Sequence, residues 1–376
     1  MNKRYAIAVI VLFLVVVCAA PVCLFWQEDA EFSESENRYL AGKPSFSGER
    51  LWSGRFMEDT EKYIGDQFPG KEFFLSLRSD VLRLVGNRQI NGVYLGEDGY
   101  LMEQWSPQDY DEKKLGENTE AVNRFAGRHP ELETSVMFVP TAGMILRDKL
   151  PGYAPMFDQQ IAFDYVNGAL RGVSCIDICS LFTEHRAEEL YYKTDHHWTT
   201  YGAFLAYSVW CEQKNLTVNG EDYETETVTE CFQGSLHSKV LGSHCAMDRI
   251  TIYRRKGEPQ YRVAYNYGKT VSDSVYDMER LAGKDKYQIF LSGNHPEITI
   301  TTSQANGKRL LILKDSYANA FIPFLLQDYE AIHVIDPRYY YGTLDEYIQE
   351  NNINECLFLY NIRNFCEDND IAGMLG

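Results

Sequence analysis

The sequence predicts an α/β fold, a parallel sheet covered by helices on both faces, preceded by a membrane-spanning helix. Three observations predict it. The C-terminal section repeats short apolar runs, RLLILKDS, AIHVIDPR and ECLFLYNIRN, separated by helical stretches near 317–327 and 343–350. The middle section does the same, with SVMFVP (135–140) and VSCIDI (173–178) on either side of a helix over about 158–171. Apolar strands alternating with helices belong to parallel sheets buried on both faces. With 45% hydrophobic and 14% aromatic residues, the 376-residue chain can bury one large core or two small ones.

The elements follow in chain order. From Tyr5 to Trp26 the sequence holds 22 residues without a charge, behind Lys3 and Arg4. About 20 apolar residues span a bilayer as a helix, and the positive-inside rule keeps Lys3 and Arg4 cytoplasmic. Residues 1–27 therefore read as a transmembrane signal anchor in a single-pass protein of the cell membrane, with the remainder of the chain extracytoplasmic. The alternative is a signal peptide cleaved near Ala19-Ala20. Residues 28–50 are polar and turn-rich and read as a stalk, leaving 51–376 as the folded domain. Two amphipathic helical stretches between Leu51 and about Val85 break at Pro69-Gly70, where proline cannot continue a helix. VYLGEDGYLME reads as a hairpin around Glu97-Asp98-Gly99. A helix over 180–190 leads into YYKTDHHWTTYGAF, and helix continues to about Lys214. Residues 220–300 are β-rich, with RITIYRR, QYRVAYNY and KYQIFLSGN, either as an insertion or as further strands of the sheet.

The formal charge is −18, and removing Lys3 and Arg4 leaves about −20 on the remainder. So acidic a body repels phosphate and excludes a nucleic-acid partner. Seven cysteines lie outside the apolar run, an odd number that cannot all pair within one chain. Their spacing is not that of a zinc site, and they read as small buried hydrophobes with room for one disulfide.

Parallel sheets present ligands at the carboxyl ends of their strands. Three such ends carry polar residues: Lys314-Asp315-Ser316, Asp336-Pro337-Arg338, and Asn361. They offer a hydroxyl, a guanidinium and an amide to one crevice, the ingredients of nucleophilic attack with oxyanion stabilisation. Ser316 has two readings: a nucleophile, with the following helix adding its positive N-terminal end, or the cap of that helix. The base comes from Lys193-Thr194-Asp195-His196-His197-Trp198. A carboxylate two residues before an imidazole can fix its tautomer and stabilise the imidazolium. On an extended segment alternation puts Asp195 and His197 on one side, which selects His197 as base and leaves His196 to structure. A turn with exposed histidines, or a metal site, is the competing reading. Three adjacent ligands rarely reach one metal, so neither metal nor cofactor is expected.

YYKTDHHWTTYGA resembles the signature of the DHHW proteins, relatives of the alginate-acetylation proteins of the AlgX and AlgJ type. SENRYLAGKPSF, DQFPGK, GVYLGEDGYL, VPTAGMI, FLSGNHPEI, ILKDSYANAF, DPRYY and LYNIRNF fit the same pattern, so the resemblance runs from about 33 to 366. It implies an SGNH-hydrolase-like fold with its motifs in permuted order. The chain departs from ordinary SGNH hydrolases in having Lys314 where a glycine precedes Asp-Ser, and one residue between Asp195 and His197 rather than two. The resemblance implies Ser316 as nucleophile, His197 as general base and Asp195 as its orienting carboxylate. It further implies Asn361 as first choice of oxyanion donor and Arg338 as an oxyanion or acceptor contact. Gly293-Asn294 is a second donor pair or a structural turn. Tyr317, Tyr192 and Trp198 form a sugar platform or simply pack in the core. The implied activity is O-acetylation or deacetylation of an exopolysaccharide or cell-wall glycan, with the acyl group supplied by a membrane-bound O-acyltransferase. The alternative is a non-catalytic polysaccharide-binding or assembly protein of the envelope.

Overall fold

The computed structural model describes residues 3–376 apart from 34, 37, 243 and 244. The chain forms two compact units: Met1–Ile90 with Ser238–Cys245, and Asn91–His237 with Ala246–Gly376.

In the first unit the apolar N-terminal run folds as one helix, Lys3–Trp26. Among the described residues no helix is long and apolar enough to cross a membrane, so the expected anchor is not shown. Helices Gly48–Trp52, Arg55–Asp66 and Lys71–Leu84 follow, the last entered through Gly70 at φ 70°, a left-handed conformation that costs glycine least. Residues 28–50, read as a stalk, are tied to the end of the second of these helices. The Asp66 carboxylate accepts from Arg38, from the Ala41 N–H at 2.9 Å and from Lys71 at 3.1 Å. The Gln67 amide exchanges hydrogen bonds with both backbone groups of Ala30, at 2.9 and 3.0 Å. The Asp66 carboxyl lies well below its usual range because the Arg38 guanidinium outweighs the effect of burial.

The second unit is built on an eight-stranded sheet. In chain order its strands are β1 (Glu133–Val139), β2 (Ser174–Ile176), β3 (Tyr261–Tyr265), β4 (Thr270–Ser272), β5 (Glu297–Thr302), β6 (Arg309–Lys314), β7 (Ala331–Ile335) and β8 (Glu355–Asn361). The spatial order is β4-β3-β5-β7-β6-β8-β1-β2. From β7 to β2 every pairing is parallel, whereas β3, β4 and β5 add an antiparallel edge. The β-rich section thus supplies sheet strands in its second half. Its first half forms a separate antiparallel ribbon of Tyr223–Phe232 with Asp248–Arg255.

The apolar runs are continuous because both faces are covered. Along β6, Leu310 and Ile312 enter one hydrophobic cluster and Leu311 and Leu313 the other, all four fully buried. Each such leucine or isoleucine contributes on the order of 2 kcal/mol of burial. Helix Thr200–Gln213 covers the first face through Ala203, Ala206, Tyr207 and Trp210. Helices Glu112–Arg128 and Gln160–Ala169 cover the other through Leu115, Val122, Phe125, Phe163 and Val166. The helix expected over 317–327 divides into an α-turn, Ala318–Phe321, and a 3-10 segment, Ile322–Gln327, with Pro323 at the junction.

The register positions the site. Leu313 pairs with Ile335 and Phe358, and Ile335 pairs with Glu297. The residues just beyond that row all emerge at one edge: Asp315 and Ser316 after β6, Asp336 after β7, and Asn361 ending β8. Because β5 runs antiparallel, the loop before it, carrying Gly293 and Asn294, reaches the same edge.

Candidate active site

Ser316 follows β6 directly. It does not cap the next helix: the residue at that cap is Tyr317, which makes no side-chain capping bond, and the helix is four residues long. So short an element offers no appreciable dipole, and the helix-end contribution expected from the sequence is absent. The Ser316 hydroxyl instead lies 2.7 Å from Nε2 of His197. On the far side of that ring, Nδ1 is 2.5 Å from Oδ1 of Asp195. With its proton on Nδ1 donated to Asp195, His197 accepts from the Ser316 O–H at Nε2.

The loop holding these residues is not the extended segment read from the sequence. Tyr191 and Trp198 form an antiparallel bridge, and the six residues between them bend back on themselves. Asp195 takes the His197 N–H at 3.0 Å through the same oxygen that meets the ring, an Asx turn. Its other oxygen accepts the Ser235 N–H at 2.8 Å. Buried Asp248 anchors the loop's start, accepting the Lys193 and Thr194 N–H groups at 2.7 and 2.8 Å and the Thr194 hydroxyl at 2.6 Å. Gly234 packs so closely that a Cβ there would sit 2.2 Å from Oδ2 of Asp195. The bend also corrects the reading of His196. Its ring lies beside that of His197, centroids 3.9 Å apart, lines the same cavity, and meets the Ser235 hydroxyl at 2.7 Å.

Burial and the neighbouring His196 push the His197 imidazole down to about 4, with Asp195 opposing them, so it is neutral at neutral pH. Burial alone would raise the Asp195 carboxyl, but the two imidazoles and the Ser235 N–H hold it well below the usual carboxylate range.

The cavity over Ser316 measures about 450 Å³ and is lined by Asp285, Tyr287, Gln288, Gly293, Asn294, Asn319, Arg338, Asn364, Glu367 and Asp368, with His196, His197 and Asp315. Asn294 sits in it with its Oδ1 occupied by the Lys314 ammonium at 2.7 Å and the Asn319 amide at 3.2 Å, which leaves Nδ2 as its donor. Gly293 lies at φ 95°, in the left-handed region, and its own N–H is donated to the Phe290 carbonyl at 3.1 Å. It shapes the turn that presents Asn294. Arg338 lines the cavity while forming a two-point pair with buried Asp336, at 2.8 and 2.6 Å.

Asn361, the first choice of oxyanion donor, is spent elsewhere. Its side chain is buried, donates to the Val139 carbonyl at 3.1 Å and accepts the Arg363 N–H at 3.0 Å as a helix cap. It does not line the cavity. The aromatic platform also fails, since Tyr192, Trp198 and Tyr317 are at most 2% exposed. Trp198 donates its indole N–H to the Tyr317 carbonyl at 2.9 Å, and the Tyr317 hydroxyl donates to the His196 carbonyl. The aromatic that does reach the site is Tyr287, which no motif pointed to. It stacks on His197 and donates its hydroxyl to the Ser316 carbonyl at 3.2 Å.

One ligand atom each from Asp195, His196 and His197 lie within 4.8 Å of one another, an outline in which an ion could be held. Both ring nitrogens of His197 already have partners in Asp195 and Ser316. Among the described residues no two cysteines are bridged.

The DHHW protein family is matched over residues 128–335, which include Asp195, His197, Asn294 and Ser316 but not Arg338 or Asn361. The alginate biosynthesis protein AlgX of Pseudomonas aeruginosa is 25% identical over 182 residues, 47% of this chain and 35% of AlgX. The chain thus spans about a third of the length of that curated relative. A solved DHHW family protein from Eubacterium siraeum superposes with a TM-score of 0.65 at 24% identity, covering 76% of this chain and 95% of that one. Bacillus cereus PatB1, solved with a sulfonyl adduct, superposes with a TM-score of 0.63 at 23% identity, covering 75% of this chain and 99% of that one. Both share the fold.

Proposed function

This chain belongs to the DHHW protein family, and from that premise we propose that it is a serine acyl-transfer enzyme that moves O-acetyl groups on or off an envelope polysaccharide. The observation that carries the proposal is the unbroken hydrogen-bonded relay from Asp195 through His197 to Ser316, opening on a cavity that Asn294 also lines. A serine spent on capping or packing would need neither the base nor the cavity.

His197 Nε2 takes the Ser316 proton as Oγ attacks the acetyl carbonyl. The carbonyl oxygen becomes an oxyanion, for which the Ser316 N–H and the Asn294 amide are the donors. Collapse expels the alcohol of the donor ester, which takes the proton from His197 and leaves an acetyl-serine. A sugar hydroxyl or water then gives its proton to His197, attacks the acetyl carbonyl and releases Ser316. Asp195 holds the ring in the tautomer this requires and stabilises the imidazolium. A sulfonyl adduct is a product expected of an activated nucleophile, and PatB1 was solved with one. The name of AlgX ties that relative to alginate biosynthesis. We further propose that the apolar N-terminal run is an anchor holding the enzyme outside the cytoplasmic membrane, beside a membrane-bound O-acyltransferase that supplies acetyl groups to it.

The test is turnover of a chromogenic acetyl ester by the purified protein, with and without oligosaccharide acceptors. Acetylated oligosaccharide as product supports transfer, and acetate alone supports hydrolysis. Glycan binding without any ester turnover would favour the non-catalytic alternative.

A further inference from the structure

Behind the cavity lies a buried cation that the relay does not use. Lys314 ends β6, its side chain fully buried, and its three N–H groups have identifiable directions. Two are donated to Oδ1 of Asn294 at 2.7 Å and Oδ1 of Asn319 at 2.8 Å. The third faces Oδ2 of the fully buried Asp336 at 3.5 Å. Resting on the acyl-transfer reading above, we propose that Lys314 is a positioning residue that orients the Asn294 amide as oxyanion donor.

An ammonium has no acceptor, so it can face only the oxygen of an asparagine amide. Asn319 Nδ2 donates to the same oxygen at 3.2 Å. Two donors fix which end of Asn294 points inward, and the remaining end, Nδ2, is the donor left for the cavity. A glycine at position 314 would leave that amide held by Asn319 alone. Burying an ammonium is costly unless it is paired, and Asp336 supplies the charge while Arg338 holds both oxygens of Asp336. One ammonium thereby ties together the end of β6, the end of β7 and the loop before β5, the three elements that converge on the site.

The charged and titratable groups facing the ammonium are Asp315 on its own strand end, Asp336 and Arg338 beyond β7, and His295 before β5. Burial lowers the Lys314 ammonium to about 8; Asp336 and Asp315 oppose the fall and Arg338 adds to it. Its proton is present below that value and lost above it. The ester turnover of the wild type should therefore decline as the pH rises through about 8, once hydroxide-driven hydrolysis is subtracted. In Lys314→Arg, which stays protonated, the decline should vanish.

The decisive experiment is a double-mutant cycle on kcat and KM for an acetyl ester, with circular dichroism to verify folding. Lys314→Gln should lower kcat by about 10- to 100-fold with little change in KM, a fraction of what loss of a whole oxyanion donor costs. In an Asn294→Ala background the same substitution should cost less than about twofold, because its target is gone. Equal losses in both backgrounds would overturn the positioning role. Turnover that is abolished in Ser316→Ala yet undiminished in Lys314→Gln would overturn this inference alone. Turnover that survives Ser316→Ala would overturn the reading beneath it.

Discussion

The imidazole of His197 lies flat against the phenol of Tyr287, ring centroids 3.8 Å apart and planes 8° from parallel. With Asp195 gripping one edge of the imidazole and Tyr287 covering one face, the ring has little freedom except along its bond to Ser316. Tyr287→Phe keeps the stack and loses the hydroxyl's bonds to the Ser316 carbonyl and the Ala320 N–H, so kcat should fall by less than about tenfold. Tyr287→Leu removes the flat face and should cost about 100-fold. Steady-state kinetics on the two variants checks this, and equal losses would show that the stack is immaterial.

Gly234 offers a way to disturb the relay without touching its members. An added Cβ collides with Asp195, whose neighbours in the Asx turn and at Ser235 leave it nowhere close to go. Gly234→Ala should lower kcat by about 100-fold or more, approaching loss of the orienting carboxylate, while the bulk of the fold remains. Turnover within twofold of wild type would mean that the close approach carries no functional weight.

The low imidazole value has a definite sign. An imidazole can take a proton only when neutral, and burial and His196 push the protonation of His197 down to about 4. As the pH falls from 7 to 5, kcat/KM should therefore hold nearly constant, then decline through about 4 as the ring takes up a proton. A decline centred near 6.5 in a pH–rate profile would contradict it.

Charge in the cavity should sort substrates. Asp285, Asp315, Glu367 and Asp368 line it, and among the described residues Arg338, itself paired with Asp336, is the one lysine or arginine that does. Acetyl esters on an amine-bearing sugar should have higher kcat/KM than those on a uronate, with the gap narrowing as salt screens the field. Preference for the uronate ester at low salt would refute this.

The parallel half of the sheet was legible because burial on both faces leaves almost no polar residue inside β6, β7 or β8, and the strand ends then stand out. The pairing of Asp195 with His197 was legible for the wrong reason: an Asx turn, rather than alternation along a strand, brings them together, and the same bend carries His196 to the cavity. The two candidate oxyanion donors differ in where the fold puts them. Asn361 ends a strand beside the serine and looked well placed, but it caps the helix that follows. Asn294 reaches the site only because β5 runs antiparallel, a choice of direction that local sequence does not encode. Trp198 and Tyr317 show the same limit. An aromatic beside a catalytic motif reads alike whether it faces solvent or core, and here both rings are core. Helix Glu112–Arg128, capped by Asp111, is amphipathic but carries no site residue.

The acyl-enzyme proposed at Ser316 is open to direct detection. Its most direct measurement is mass spectrometry of the protein quenched during turnover of an acetyl ester, followed by peptide mapping. One acetyl group on the peptide bearing Ser316, absent from Ser316→Ala together with the turnover, is the predicted result. Undiminished turnover in Ser316→Ala, or an acetyl group trapped at another residue, would contradict it.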